Sequence, residues 1–429
     1  MKKVDVLIIY EHKNRELESA VRLAVLLEKK GITSDIKQCG WNEAIAEFQI
    51  SPKILVVPWC YDTKDLNKWL NYRGQLNKNR IQILNLHCEQ VVFNDAIDFY
   101  LPKGKSKNIH HISWGPNYTK LLSQNNINDK LIHETGSIRL DFFKKQYCET
   151  REKLAEKYKL DYKKKWILLV GNFSQMSLTE ERIKDLTNRG IGGIKEGKET
   201  ATISFEKICT WYENLLEDKD IRKNIEFIYR PHPSEENNNI LIELEKKYSN
   251  FHYISENAIR DWYVNSQLAL VWTSTSSVEA YCAGIPVKAL RPVSIPENIK
   301  IDLVEKLDKI KTIDEFKKIV YDLMENKNIV TNIEFIKEIE KYYGKINRDA
   351  GKETVELINN LLNDFDGSVL CHKIKSFKSV IKVFNFYIKF LAVKFSIANR
   401  IKKWEFMNRD RVNSKEIENL KQKYRKIEK

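Results

Sequence analysis

The 429-residue chain has no CxxC pair, and its seven cysteines, at 39, 60, 88, 148, 209, 282 and 371, follow no regular spacing. That excludes paired-thiol zinc ligands and a disulfide framework, and it fits buried thiols in a reducing cytoplasm. No HExxH, GxSxG or GxxxxGK[ST] occurs, so zincin, nucleophile-elbow and P-loop chemistry have no anchor. The DFD at Asp364–Asp366 ends a helical region instead of following a core strand, and the glycines of Asn188–Gly197 have no strand before them. The first is not read as a metal site, nor the second as a dinucleotide fingerprint. The remaining histidines lack ligand spacing; His110 and His111, being adjacent, would point to opposite faces of a strand. No metal and no bound cofactor is expected. The opening MKKVDVLIIYEHK holds only a strand-length apolar run followed by charge, which is neither a secretory signal nor a membrane span. Repeats of 20 to 50 residues and Pro- or Gln-rich tracts are also missing.

The net charge of +14 is unevenly placed. Residues 367–429 hold 17 Lys and Arg against 5 Asp and Glu, a net of +12, which leaves +2 for everything before them. A nucleic-acid enzyme spreads positive charge over its groove, so a sequence-reading function is not expected. A dedicated basic tail is. Around Lys375, Lys378, Lys382, Asn385 and Lys389 runs a wide apolar face that includes Phe377, Val380, Ile381, Phe384, Ile388, Leu391 and Phe395. Lysine recurs too often for a bilayer span. The pattern is that of an interfacial helix on anionic lipid, the alternative being a helix packed on the body or on another subunit.

Strand-length apolar runs alternate with amphipathic helices through both halves of the chain. VDVLIIY, TSDIK, ILVVP, IQILNL, HHISW and LIHET form a first series, and WILLV, IEFIY, FHYIS, LALVW and PVKAL a second. This is the signature of mostly parallel, doubly wound α/β sheets. The charged stretch Lys144–Lys165 separates the two series, giving domains at 1–150 and 151–366 with the tail at 367–429. Helical patterns dominate from about Thr312 to Leu362.

Two stretches carry chemistry. RPHP at Arg230–Pro233 follows IEFIY, and TSTSSVEAYCAGIPV at Thr273–Val287 follows LALVW. Both therefore sit at the carboxyl edge of a sheet, where open α/β sheets bind ligands. Ser274, Thr275, Ser276 and Ser277 stand where a helix begins, and Gly284 with Pro286 ends it. Free helix N–H groups with hydroxyls make a phosphate site, which Arg230 flanks and which His232 can reach as a hydrogen-bond or proton donor. The plain alternatives are a helix cap and a rigid turn; their joint occurrence at two strand ends favours phosphate binding. Glu279 could accept ribose hydroxyls or simply favour the helix start. Asn172 and Ser174, with Gly171, follow the first strand of the second series and form either the other wall of the site or an ordinary turn. In the first series Glu89, at a strand tip beside His87, is the first candidate for general base, with Glu11 in reserve.

The HP motif paired with a later Ser/Thr-rich helix start resembles the GT-B glycosyltransferases that use CMP-activated sugars, including bacterial sialyltransferases and capsule Kdo transferases. Over about the first 300 residues the chain is similar to bacterial surface carbohydrate biosynthesis proteins. The similarity rests on its opening strand and helix, on TGSIRLD at Thr135–Asp141, on RPHPSE and on SSVEAYCAGIPV. It implies a GT-B fold of two Rossmann-like domains facing a cleft. It also implies a role in building surface glycans, without fixing donor or acceptor; the resemblance to CMP-sugar transferases favours a CMP-linked donor, and with no metal cluster in the sequence the expected reaction is metal-independent transfer from a nucleotide-sugar to a surface-polysaccharide or lipid-linked glycan acceptor. The enzyme would sit at the inner face of the cytoplasmic membrane. A polyol-phosphate transferase of the CDP-glycerol or CDP-ribitol type and a non-catalytic nucleotide-binding scaffold are the competing readings. Nucleotide-sugar 2-epimerases share the fold, but their hydroxyl-glycine helix start and carboxylate-rich centre are not evident in the sequence.

Overall fold

The computed structural model describes residues 2–42, 50–70, 81–92, 96–188, 192–232, 235, 238–365, 377–394 and 411–429. Pro233, the loop residues 189–191, Asp366, Lys375 and Phe395 lie outside the described residues. The chain forms two compact units, one of Met1–Gln90, Tyr100–Asp141 and Tyr343–Lys429, the other of Val91–Phe99 and Phe142–Tyr342.

Strands β1 (Lys2–Tyr10), β2 (Ser34–Gln38), β3 (Ile50–Val57), β4 (Gln82–Asn85), β5 (His110–Ser113) and β6 (Ile132–Glu134) build the first sheet. Its order is β2-β1-β3-β4-β5-β6, all parallel. The second sheet uses β7 (Lys165–Val170), β8 (Ile225–Arg230), β9 (Phe251–Tyr253), β10 (Leu268–Val271), β11 (Val287–Leu290) and β12 (Lys309–Ile310) in the order β12-β11-β10-β7-β8-β9, again all parallel. The central strands read as continuous apolar runs because helices cover both faces; Ile167, Leu168 and Leu169 are all inaccessible. Two parallel, doubly wound sheets are the expected α/β architecture. The two-residue β12 is too short to have announced itself in the sequence.

The helices that bear on the sites and on the chain ends are α1 (Glu18–Lys29), α2 (Ile194–Glu217), α3 (Ser276–Cys282), α4 (Ala350–Asn363), α5 (Phe377–Lys394) and α6 (Ser414–Ile427). The divisions differ from those read in the sequence. The chain passes to the second unit at Phe142 and returns at Tyr343, so α4, expected to close the second domain, packs on α1 of the first. The cause is a buried charge cluster. Arg22, on the inner face of α1 and 1 % exposed, meets Asp141 at 2.5 Å, both oxygens of Asp349 at 3.0 Å and Glu428 at 2.6 Å. The Asp141 carboxylate also accepts the Ala350 and Gly351 amides, at 3.0 and 2.8 Å, so it caps α4. Gly351 is required there, since a Cβ would lie 2.2 Å from Arg22 Nη1. TGSIRLD thus ends in a carboxylate that joins the chain's beginning to its end.

The basic tail is not one body either. Its last helix, α6, packs on α1. Tyr424 is inaccessible and donates to Glu18 at 2.7 Å, Arg425 grips both oxygens of Glu28, and Lys13 pairs with Glu416 at 2.7 Å.

Candidate functional site

In the second sheet β7 lies between β8 and β10. The chain leaves β7 outward through β8 to β9, then crosses back to β10 on the other side, so the direction of winding reverses between β7 and β10. Ligands of open α/β sheets bind at such a reversal, beyond the carboxyl ends of the strands. Here those ends carry Gly171–Ser174, Pro231–His232 and Thr273–Ser277, three segments singled out from the sequence.

The structure ties them together. Asn172 Nδ2 donates to the Thr273 carbonyl, joining the tips of β7 and β10. Gly171 N donates to the Arg230 carbonyl at 2.8 Å, joining β7 to β8. Glu235 then clamps both, its carboxylate accepting Phe173 N at 2.7 Å, His232 N at 2.8 Å and the Tyr229 hydroxyl at 3.2 Å. Gly171 makes room for this clamp, since a Cβ would sit 2.5 Å from Glu235 Oε2 and 2.6 Å from Tyr229 Oη. Burial raises the Glu235 pKa against the pull of those donors, and burial beside Glu235 raises that of Tyr229. A cavity of about 590 Å³ opens next to the clamp, lined by Phe173, Met176, Phe205, Tyr229 and Tyr253.

The expected residues take unequal parts. His232 is half-buried, with its backbone fixed by Glu235. Arg230 turns aside: its guanidinium donates to the carbonyls of Ile254 at 3.1 Å and Asn257 at 2.6 Å, where it braces the segment after β9, and burial lowers its pKa. At the start of α3 the Ser274 hydroxyl accepts Ser276 N at 3.2 Å. Ser277 faces inward and donates to the Ser274 carbonyl at 2.9 Å. Thr275 and Ser276 remain half-buried at the edge, and Glu279 is buried, 6 % exposed. Thr273, 7 % exposed, has a buried hydroxyl with no hydrogen-bond partner among the described residues. Ser174 opens a short 3-10 turn whose first carbonyl is taken by Ser177. Glu235 is the residue the sequence reading passed over. Its signal was a carboxylate three positions after His232, the spacing at which a side chain closes a turn on the backbone.

The first sheet reverses between β1 and β3 in the same way, and a largely apolar cavity of about 700 Å³ stands there, bounded by Tyr10, Arg15, Glu16, Leu86, Trp114 and Arg139. Glu89 is engaged by the Arg15 guanidinium, whereas Glu11 accepts the Trp59 indole N–H, at 2.8 Å, and lies 3.8 Å from His12 Nε2. Glu16, 7 % exposed, holds the loop by accepting Glu11 N at 2.6 Å; burial raises its pKa. His87 is fully buried, with a left-handed backbone (φ 49°). Its ring lies 2.8 Å from His111 and 3.0 Å from both Asn85 Nδ2 and the Tyr118 hydroxyl. Burial, then the neighbouring His111, pushes its pKa well down, and His111 falls to about 3. Among the described residues no group of three or more His, Cys, Asp or Glu is arranged to hold a metal ion.

No family model matches the chain, and no curated protein matches it. Solved structures do. The UDP-GlcNAc 2-epimerase from Methanocaldococcus jannaschii superposes with a TM-score of 0.52 at 13 % identity, over 84 % of this chain and 100 % of that one. The S. aureus MnaA–UDP structure gives 0.50 at 14 % identity, over 88 % and 100 %. The wall teichoic acid polymerase TagF, soaked with CDPG, gives 0.51 at 13 % identity, over 84 % and 89 %. At such identity the likeness establishes the fold: two Rossmann-like domains of the GT-B type.

Proposed function

We propose that the protein is a metal-independent transferase of surface-glycan assembly, taking a nucleotide-activated sugar as donor. The observation that carries the reading is the reversal point of the second sheet, where Glu235 and Asn172 fasten the tips of β7, β8 and β10 into one surface. Structural neighbours that were solved with UDP and with CDPG support a nucleotide-linked donor. The phosphate would meet the Thr273–Ser276 edge and the half-buried His232. Amides and hydroxyls aimed at a departing phosphate stabilise its charge, and an imidazole can donate a proton or hydrogen bond to the leaving oxygen. Arg230 serves as a brace, and Ser277 holds the turn from within. On the acceptor side, Glu11 is the better general base, because Glu89 is already paired with Arg15.

The motif resemblance favours a CMP-linked donor, and the neighbours favour a nucleoside diphosphate. Polyol-phosphate transfer is the second reading, supported by the TagF likeness. Titration calorimetry of CMP, CDP, UDP and GDP against the purified protein separates the donor classes. With the donor so chosen, His232→Ala should lower kcat about 10²–10³-fold while the melting temperature stays unchanged. Near-normal turnover in that variant removes His232 from the mechanism.

A further inference from the structure

Helix α5 carries apolar side chains on two separate faces. On one, Phe386 meets the Trp41 ring edge-on at a centroid distance of 5.2 Å, and Phe390, still 42 % exposed, lines an open pocket with Trp41 and Val412. That face turns toward Trp41 within the first unit. About half a turn away, Ile381, Phe384, Ile388 and Leu391 follow one another at i, i+3, i+7 and i+10, the spacing of a single helical stripe. They are 43, 65, 42 and 49 % exposed, and Tyr387 beside them is 54 % exposed. A continuous apolar stripe left in water after the helix has already found its packing face marks a binding surface.

Charge identifies what covers it. Residues 367–404 contain nine Lys and Arg and no Asp or Glu. By sequence spacing on a helical wheel, Lys378, Lys382 and Lys389 fall on one flank of the stripe and Lys394 on the other. A second copy of the same face would oppose lysine to lysine, which is unfavourable. A surface that is apolar within and anionic at its rim complements it, and a bilayer with acidic headgroups is such a surface. Among the described residues no helix is long and apolar enough to cross a membrane. We infer that α5 lies in the plane of an anionic lipid surface, the Ile381–Leu391 stripe at the acyl boundary and the lysines at the level of the phosphates. This inference is independent of the transfer reading, because vesicle binding is read without turnover.

The experiment uses the full chain and extruded vesicles of phosphatidylcholine, with or without phosphatidylglycerol, read by co-sedimentation. The protein should partition onto the phosphatidylglycerol vesicles and not onto the neutral ones, more weakly as salt rises. Two variants probe the two components, Phe384→Ser/Ile388→Ser/Leu391→Ser for the stripe and Lys378→Gln/Lys382→Gln/Lys389→Gln for the charge. Each should weaken partitioning at least about tenfold with an unchanged melting temperature. The idea is overturned by equal binding to both vesicles, by no binding, or by stripe variants that bind as well as the parent. Sedimentation velocity covers the remaining case: a dimer of the parent chain, dispersed by the stripe variant, in protein that ignores vesicles assigns the face to a second copy and sinks the lipid reading.

Discussion

Glu235→Ala is the sharpest probe of the second unit's reversal point, because one carboxylate there satisfies the backbone of two strand tips. Its removal leaves Phe173 N and His232 N without the acceptors they have at 2.7 and 2.8 Å, and it strips the Tyr229 hydroxyl of its partner. A donor left unsatisfied away from water costs about 1–3 kcal/mol. Glu235 is only half-buried, so water recovers part of the loss, and about 2–4 kcal/mol is expected for the second unit. For a unit of this size that lowers its melting temperature by roughly 5–12 °C. Glu235→Gln keeps one acceptor oxygen and turns an amide N–H toward a backbone N–H, so about half the effect should remain. Because His232 and Phe173 are released together, nucleotide affinity should fall at least about tenfold in the alanine variant, with a smaller loss in the glutamine one. Scanning calorimetry reads the first quantity and titration calorimetry the second. An alanine variant that melts within about 1 °C of the parent and binds nucleotide equally well would refute the clamp.

Arg22→Met removes the cation from a cluster in which Asp141 is 3 % exposed, and stranding a buried carboxylate costs about 3–5 kcal/mol. The first unit's transition should drop by about 6–15 °C in scanning calorimetry; equal melting of parent and variant counts against the cluster. The buried histidines give a pH dependence of definite sign. His87 and His111 have pKa values lowered by burial below the ordinary 6.5, so the unfolded chain binds more protons once pH falls through 6.5. Their contribution is complete above that pH and is lost below it at about 1.4 kcal/mol per pH unit for each histidine. His87→Asn, which keeps a residue tolerant of the left-handed backbone, should visibly flatten the fall of melting temperature between pH 6.5 and about 4; an unchanged slope is the contrary result.

How far the fold was legible depends on which interactions are local. A strand buried on both faces writes itself as a short apolar run, so VDVLIIY, ILVVP, WILLV, IEFIY and LALVW located the sheet centres without help. RPHP and TSTSS were legible as strand-tip segments because each follows such a run. The part each residue plays was not legible, since it depends on partners far along the chain. Arg230 has the composition of a phosphate ligand but donates instead to carbonyls 24 and 27 residues on. Ser277 belongs to the hydroxyl run yet points into the turn. Glu89 stands at a strand tip as a base would, but Arg15, 74 residues earlier, occupies it. The return of α4 to the first unit depends on Arg22 meeting Asp141 and Asp349, separations of 119 and 327 residues that no periodicity encodes.

The charge of the C-terminal segment has to be divided before it can be interpreted. Part of what α6 carries is committed: Arg425 is neutralised by Glu28 and Glu418, and the helix supplies Tyr424 to Glu18, while Glu428, just beyond its end, reaches Arg22. Surface ion pairs of that kind add little each, but Tyr424 is inaccessible and Glu428 completes a buried cluster, so α6 is part of the first unit's core and not an appendage. The larger share of the excess, nine of the net +12, belongs to the acid-free run of residues 367–404, which contains α5. Truncation at 367 would remove both elements at once, and a loss of membrane binding could not then be told from a loss of fold. Substitutions on the exposed stripe of α5 leave α6 seated on α1, which is why they, and not deletion, isolate the lipid-facing contribution.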